Sequence, residues 1–281
     1  MKKLLSGMIP IVFLSLLMTG CQGVLDPRGP VADTQYNLII YSIVLMSLVL
    51  IPVFIAFGII VFKYREKASS HHYEPPEMEG NKKLEILWTI IPIIIVTMLA
   101  IPTVQATYSL EKSPSPEQKP LVIKVISAQW KWIFQYPEQG IQTVNYANIP
   151  KDRPVKFKLT SAAAMNSFWI PQLGGQKYTM PGMTEVLFLE ADETGTFNGK
   201  AANFSGKMYS DMTFTISSQS NQNFENWIQK TLEMKPPLTA VGMDQLLSPG
   251  TVDIMTYSSY PKNYDYLSNL KGGTMNEFGE H

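Results

Sequence analysis

Two long apolar stretches, residues 34–62 and 86–110, dominate the first part of the chain, and shorter runs of mixed character fill the rest. The first carries no charge over about 29 residues and the second none over about 25. Roughly 20 apolar residues suffice to cross a bilayer, so the pattern predicts two transmembrane helices. Pro52, Pro92 and Pro102 fall inside them and are tolerated where neighbouring groups satisfy the freed carbonyls. Residues 111–120, EKSPSPEQKP, read as a linker. A series of short strands follows. Residues 121–127 are rich in β-branched side chains, and 154–160 alternate, with Val155, Phe157 and Leu159 on one face and Lys156 and Lys158 on the other. Residues 184–190 and 211–217 look similar, and Pro150, Gly174-Gly175, Pro181-Gly182 and Gly195 mark turns, which together predict a β-sandwich. Beyond Ser217, NQNFENWIQKTLEM places Phe224, Trp227, Ile228 and Leu232 on one helical face, opened by capping Asn residues and closed by Pro236-Pro237. From Lys262 onward the polar composition predicts little order.

Composition sharpens this picture. The chain is 45% hydrophobic and 16% charged, with Lys+Arg 23 against Asp+Glu 23, so neither a basic nucleic-acid face nor an acidic tail is present. The lone cysteine, Cys21, excludes an intramolecular disulfide. It closes a segment with Lys2 and Lys3, an apolar run over 4–18, and then Thr19 and Gly20. That run is too short for a span and fits an export signal of residues 1–20. The ending resembles a bacterial lipobox, which implies cleavage before Cys21 and its acylation. Lys63, Arg65, Lys67, Lys82 and Lys83 all sit between the two helices, which places that connection in the cytoplasm and everything after Leu110 outside. His71 and His72 lie in the same polar, Pro-containing loop and read as solvated side chains, not a metal clip.

The stretch 166–212 carries the chemistry, by what it lacks. It keeps Ser167, Phe168, Trp169, Pro171, Pro181, Gly182, Gly199 and Gly206. In these residues it resembles the copper-ligand region of subunit II of the haem-copper terminal oxidases, whose pattern runs H-S-F-x-x-P, P-G and G-x-C-x-E-x-C-G-x-x-H-x-x-M. The ligand positions hold Asn166, Ala201, Ser205 and Tyr209, and only Met212 remains. An electron-transfer copper needs thiolate and imidazole donors, and a thioether alone does not hold it. Asn203 stands where the family has an acidic residue associated with magnesium. Loss of the copper pocket is similar to the quinol-oxidase branch of that family, where a membrane-phase donor needs no aqueous relay.

A second match is independent of the first. Glu85, Trp88, Thr89 and Pro92 fit the family's E-x-x-W-T-x-x-P helix entry, where the glutamate lies at the mouth of a proton pathway. Glu85 is therefore the proton-path candidate, against the simpler reading of an interfacial carboxylate that pairs with Lys82 or helps cap the helix. Gln129, Trp130, Trp132, Phe134 and Tyr136 match the family's aromatic segment, and without copper behind them they read as packing residues. Asn166 and Tyr209 are expected to satisfy each other, a backbone group or water in the old pocket.

The resemblance implies a two-helix membrane hairpin followed by an extracytoplasmic cupredoxin-like β-sandwich. The expected parts are a signal at 1–20, a lipidated N-terminus and hairpin at 21–110, a linker at 111–120, a copper-free cupredoxin-like domain at 121–218, and a C-terminal helix and tail at 219–281. It implies subunit II of a quinol oxidase complex in a bacterial cell membrane, oxidising quinol, menaquinol by preference, and reducing oxygen to water with proton translocation. Electrons would pass to the haem-copper centre of subunit I. No cofactor would be bound by this chain, the haems and copper belonging to subunit I. The partners would be that subunit, the other subunits, quinol and the membrane, with no cytochrome c and no nucleic acid. A membrane-anchored cupredoxin-like lipoprotein for assembly or binding is the rival reading, and it would not need the E-x-x-W-T-x-x-P helix.

Overall fold

The computed structural model describes residues 23–65 and 80–266. The export signal, Cys21, His71 and His72 lie outside the described residues. The chain forms two compact units, residues 36–109, and residues up to 35 together with those from 110 onward.

Helix α1 (Pro30–Lys63) and helix α2 (Lys82–Leu110) are both long and apolar enough to cross a membrane. At 1.5 Å per residue, α1 is about 51 Å long. It starts earlier than the apolar run because Pro30 takes the first helical position, where no N–H is missed, and Asp33 favours the positive N-terminal end. Asn81 opens α2, its Oδ1 accepting from the backbone N–H of Lys83 at 3.0 Å and Leu84 at 3.4 Å. Both helices continue past their internal prolines. Pro102 has no N–H for the carbonyl of Met98, and the Tyr41 hydroxyl donates to that oxygen at 3.3 Å. The hydroxyls of Ser42, Ser47, Thr89, Thr97, Thr103 and Thr107 each donate to the carbonyl four residues earlier, so none is bare in an apolar surrounding. In the span unit Leu45, Ile95 and Ala106 are buried, whereas Leu48, Phe54, Ile93 and Val96 face outward, as they can where the solvent is lipid or a neighbouring helix.

The other unit is a two-sheet sandwich. Its strands are β1 (Leu121–Ala128), β2 (Lys131–Tyr136), β3 (Ile141–Val144), β4 (Tyr146–Pro150), β5 (Val155–Ser161), β6 (Asn166–Ile170), β7 (Gly174–Thr179), β8 (Glu185–Leu189), β9 (Gly195–Ala201), β10 (Thr213–Gln219) and β11 (Met255–Tyr257). One sheet has six strands in the order β11-β3-β2-β1-β5-β8, and the other five in the order β4-β10-β9-β6-β7. Trp132, Phe134 and Tyr136 occupy alternate positions of β2, so all three point between the sheets and are fully buried. Trp132 meets Phe168 and Phe214 edge-on at 5.3 and 5.4 Å, and those two rings stack at 4.8 Å. The Tyr136 hydroxyl donates to the Asn148 carbonyl and accepts from its N–H, both at 2.9 Å, which satisfies the one polar atom this ring buries.

The C-terminal part differs from the expectation in three ways. First, helix α3 (Asn221–Met234) is capped by Ser220, whose side chain accepts from Asn223 N–H, and not by an asparagine. Second, its buried face is Phe224, Ile228 and Thr231, while Leu232 is exposed one step round the helix. Third, the chain stays ordered beyond it. Helix α4 (Ala240–Leu247) covers part of the outer face of the six-stranded sheet, and β11 extends that sheet at its edge beside β3. Leu238, Met243 and Leu246 form a second core with Ile126, Ile133 and Val144, and Tyr260, Tyr264 and Tyr266 pack against it, so order persists past Lys262 to residue 266. Two marked turns also move: Gly174-Gly175 and Gly195 are the first residues of β7 and β9. Gly174, at φ +84°, sits so close to α1 that a Cβ would lie 2.8 Å from the Ala32 nitrogen.

This second core buries Lys131, which is 1% exposed. Its ammonium donates to the carbonyls of Leu246 at 3.0 Å and Ser248 at 2.7 Å, the last turn and cap of α4. Burial brings its pKa down to about 8. Between about 8 and the ordinary lysine value of 10.5 the unfolded chain holds a proton that the folded chain has released. Stability therefore rises with pH across that window. Thermal unfolding of the purified chain is expected to move to higher temperature from pH 8 to 9.5, and Lys131→Met to flatten most of that slope, the smaller remainder coming from Lys124, whose pKa burial also lowers.

Candidate functional site: an erased copper pocket

Strand pairing brings the former ligand positions together. β6 lies beside β9, with Phe168 opposite Ala201, and the Ala202 N–H donates to the Ser167 carbonyl at 3.2 Å. Met212 closes the loop that follows β9, and its carbonyl accepts from the Ala201 N–H at 3.0 Å and from Trp132 Nε1 at 3.2 Å. Asn166, Ala201 and Met212 thus sit at one end of the sandwich, Asn166 at 2% and Met212 at 1% exposure.

Asn166 and Tyr209 do not bond each other, and Asn166 takes a backbone partner, one of the expected alternatives. Asn166 Nδ2 donates to the Ala164 carbonyl at 3.0 Å, while its Oδ1 has no protein partner. Tyr209 belongs to a 3-10 turn at Tyr209–Asp211, is 38% exposed, and meets Phe204 edge-on at 5.1 Å. A ring too large for the imidazole's place turns outward and pairs with the nearest apolar surface. Asn203 Nδ2 donates to the Met165 carbonyl at 3.1 Å and so ties the two loops, and Trp130 Nε1 donates to the Ser205 carbonyl at 3.1 Å. Hydrogen bonds from the Trp130 and Trp132 indoles to backbone carbonyls therefore shape the pocket. That role was not read from the sequence, although the Q-W-K-W spacing placed both rings near it.

The donors here do not fit a copper ion. The pocket offers amide and hydroxyl oxygens, Oδ1 of Asn166 and Asn203 and Oγ of Ser205, with one thioether, and no thiolate or imidazole. Among the described residues no three His, Cys, Asp or Glu side chains are placed to share a metal. Glu85 lies elsewhere, in the first turn of α2, with an exposed side chain and no ion pair to Lys82 among the described residues. Asn81, not Glu85, provides the cap.

Two family profiles match, "cytochrome c oxidase subunit II, transmembrane domain" over residues 20–106 and "cytochrome c oxidase subunit II, periplasmic domain" over residues 139–219. The chain belongs to the cytochrome c oxidase subunit II family. It is 47% identical over 265 residues to quinol oxidase subunit 2 of Bacillus cereus, covering 92% of this chain and 91% of that one. It is 46% identical to quinol oxidase subunit 2 of Bacillus subtilis, covering 91% and 83% respectively. Among solved structures it is similar to the periplasmic domain of cytochrome oxidase subunit II of Bradyrhizobium japonicum, at 23% identity and a TM-score of 0.38, over 39% of this chain and 91% of that domain. As a family member the chain is held in the membrane by two helices and carries a cupredoxin-like sandwich on the extracytoplasmic side.

Proposed function

We propose that this chain is subunit II of a bacterial quinol oxidase, a membrane complex that oxidises quinol, menaquinol by preference, and reduces oxygen to water while moving protons outward. The reading is supported by the identity to two quinol oxidase subunits over about nine-tenths of the chain. The observation that carries it against a cytochrome c donor is the donor set at Asn166, Ala201, Ser205 and Tyr209, which leaves an aqueous electron donor without a relay. Under this reading the chain binds no redox group. Haems and copper belong to subunit I, which with the other subunits and quinol makes up its partners. The chain's own work is to anchor and brace the complex, through its spans and through acylation at Cys21. Oxygen uptake by the complex purified through this chain is expected with reduced quinol and not with reduced cytochrome c; uptake with cytochrome c would refute the assignment.

Glu85 is proposed as a proton collector at the cytoplasmic end of α2. It is exposed and without a described ion partner, so it is free to exchange protons with water. Glu85→Ala is expected to slow quinol-driven turnover several-fold with subunit I still co-purifying, and Glu85→Asp to restore part of it. Unchanged turnover with normal proton uptake would leave it an ordinary interfacial carboxylate.

A further inference from the structure

The outward face of the five-stranded sheet carries a feature that the quinol reaction does not use. Across β9 and β10 three polar pairs stand in register, Lys200 with Thr213, Asn198 with Thr215 and Thr196 with Ser217. The first two pairs floor a cleft of about 530 Å³, a size ordinary for a small-molecule site. Asp211 closes one side, and the segment Val252, Asp253 and Ile254 forms another. That wall is fixed in place: Asn145 Nδ2 donates to the Val252 carbonyl at 2.7 Å, and Asn145 Oδ1 accepts from the Trp132 N–H at 2.9 Å.

The polar groups of this cleft face solvent. Asn198, Thr213, Thr215, Asp211 and Asp253 make no side-chain hydrogen bond or ion pair among the described residues. Lys200 has only the Trp169 ring, 5.2 Å from its ammonium. Free carboxylates, free amide and hydroxyl groups and a free ammonium thus line one hollow. A ligand that satisfies them must donate and accept hydrogen bonds at close intervals.

We propose that this cleft binds a neutral carbohydrate segment on the extracytoplasmic side. Sugar hydroxyls both donate and accept; Asp211 and Asp253 would take hydroxyl protons, and Asn198 and Lys200 would give hydrogen bonds to hydroxyl or ring oxygens. The exposed Ile254 and the ring of Pro171 offer apolar surface for the C–H face of a sugar. A bound metal ion fits poorly with an ammonium in the lining, and an anionic polymer fits poorly with two carboxylates against one ammonium. A peptide added as a strand is disfavoured because β9 and β10 are interior strands, paired on both sides, so no backbone edge is open beneath the cleft. Recognition must come from side chains, which suits a ligand dense in hydroxyl groups.

The test uses the full chain in a zwitterionic detergent that carries no sugar, since glycoside detergents would compete. Binding of triacetylchitotriose and of maltotriose is followed by saturation-transfer NMR and calorimetry. Saturable binding of at least one is expected, and Asn198→Ala with Asp253→Asn should weaken it about tenfold or more through loss of a charge-assisted hydrogen bond. Lys158→Ala, exposed on the other sheet, should leave it unchanged. Each variant is accepted only when its thermal unfolding matches the parent. No saturable binding of either sugar, binding indifferent to the double variant, or capture of an unglycosylated hexapeptide that neither sugar displaces would each overturn the proposal.

Discussion

A Trp132→Ala chain is expected not to keep its outer domain folded. The ring is fully buried and edge-on to Phe168 and Phe214, and its N–H is bonded to the Met212 carbonyl. Truncating a core tryptophan costs about 3–5 kcal/mol. Losing that hydrogen bond, with the carbonyl still held by the Ala201 N–H, adds about 0.5–1.5 kcal/mol. Against a typical total of about 5–15 kcal/mol, that sum takes a large share of the stability. Limited proteolysis of the membrane-inserted chain reads this out, with rapid loss of the domain beyond Leu110 as the expected result. Trp132→Phe keeps most of the ring area and loses only the hydrogen bond, so it should be the milder variant. Equal resistance of the alanine variant and the parent would mean that the domain is held elsewhere.

The second large effect is expected from adding a single methyl group. Gly199 faces Phe214 across the β9–β10 ladder, and a Cβ there would stand 2.1 and 2.2 Å from two atoms of that ring. The ring cannot slide away freely, because it is stacked on Phe168 at 4.8 Å with an interplanar angle of 9°. Gly199→Ala therefore forces β9 or the ring out of place, at a cost of about 1–3 kcal/mol or more. Thermal unfolding should fall in the single variant and recover in part when Phe214→Leu is added. No fall in the single variant would show that the sheet yields easily at this point. The glycine thus has a packing reason to be here that is independent of copper, although it lies within the motif that pointed to the copper family.

The main architecture was legible because its signals are local. Uncharged runs of span length gave both helices, strict alternation in 155–159 gave β5, and the missing sulfur and imidazole donors at 166, 201, 205 and 209 were visible without coordinates. What escaped depends on distant contacts. The length of α4 and the three residues of β11 are below what periodicity resolves, and their purpose appears only when Ile126, Ile133 and Val144 are seen to need a cover. Leu232 and Thr231 exchanged roles because the sheet beneath α3 selects a face by shape, and one residue of helical rotation separates them. Chemistry alone left Asn166 and Tyr209 a choice of each other, a backbone group or water, and the exposed Phe204 ring that Tyr209 meets lies five residues from it in a loop with no regular pattern. Lys131 reads in sequence as an ordinary outward lysine of an alternating strand, and only the carbonyls at the end of α4 explain its burial.

Because α4 and the segments beside it cover Ile126, Ile133 and Val144, that part of the six-stranded sheet is closed to neighbours, while the outer side of β5, with Lys158, stays open. The same closure makes the segment after Lys235 a shield. A chain cut after Lys235 would keep every strand from β1 to β10 yet leave Ile126, Ile133 and Val144 bare. Such an apolar patch turns a well-behaved subunit into one that sticks to its own copies.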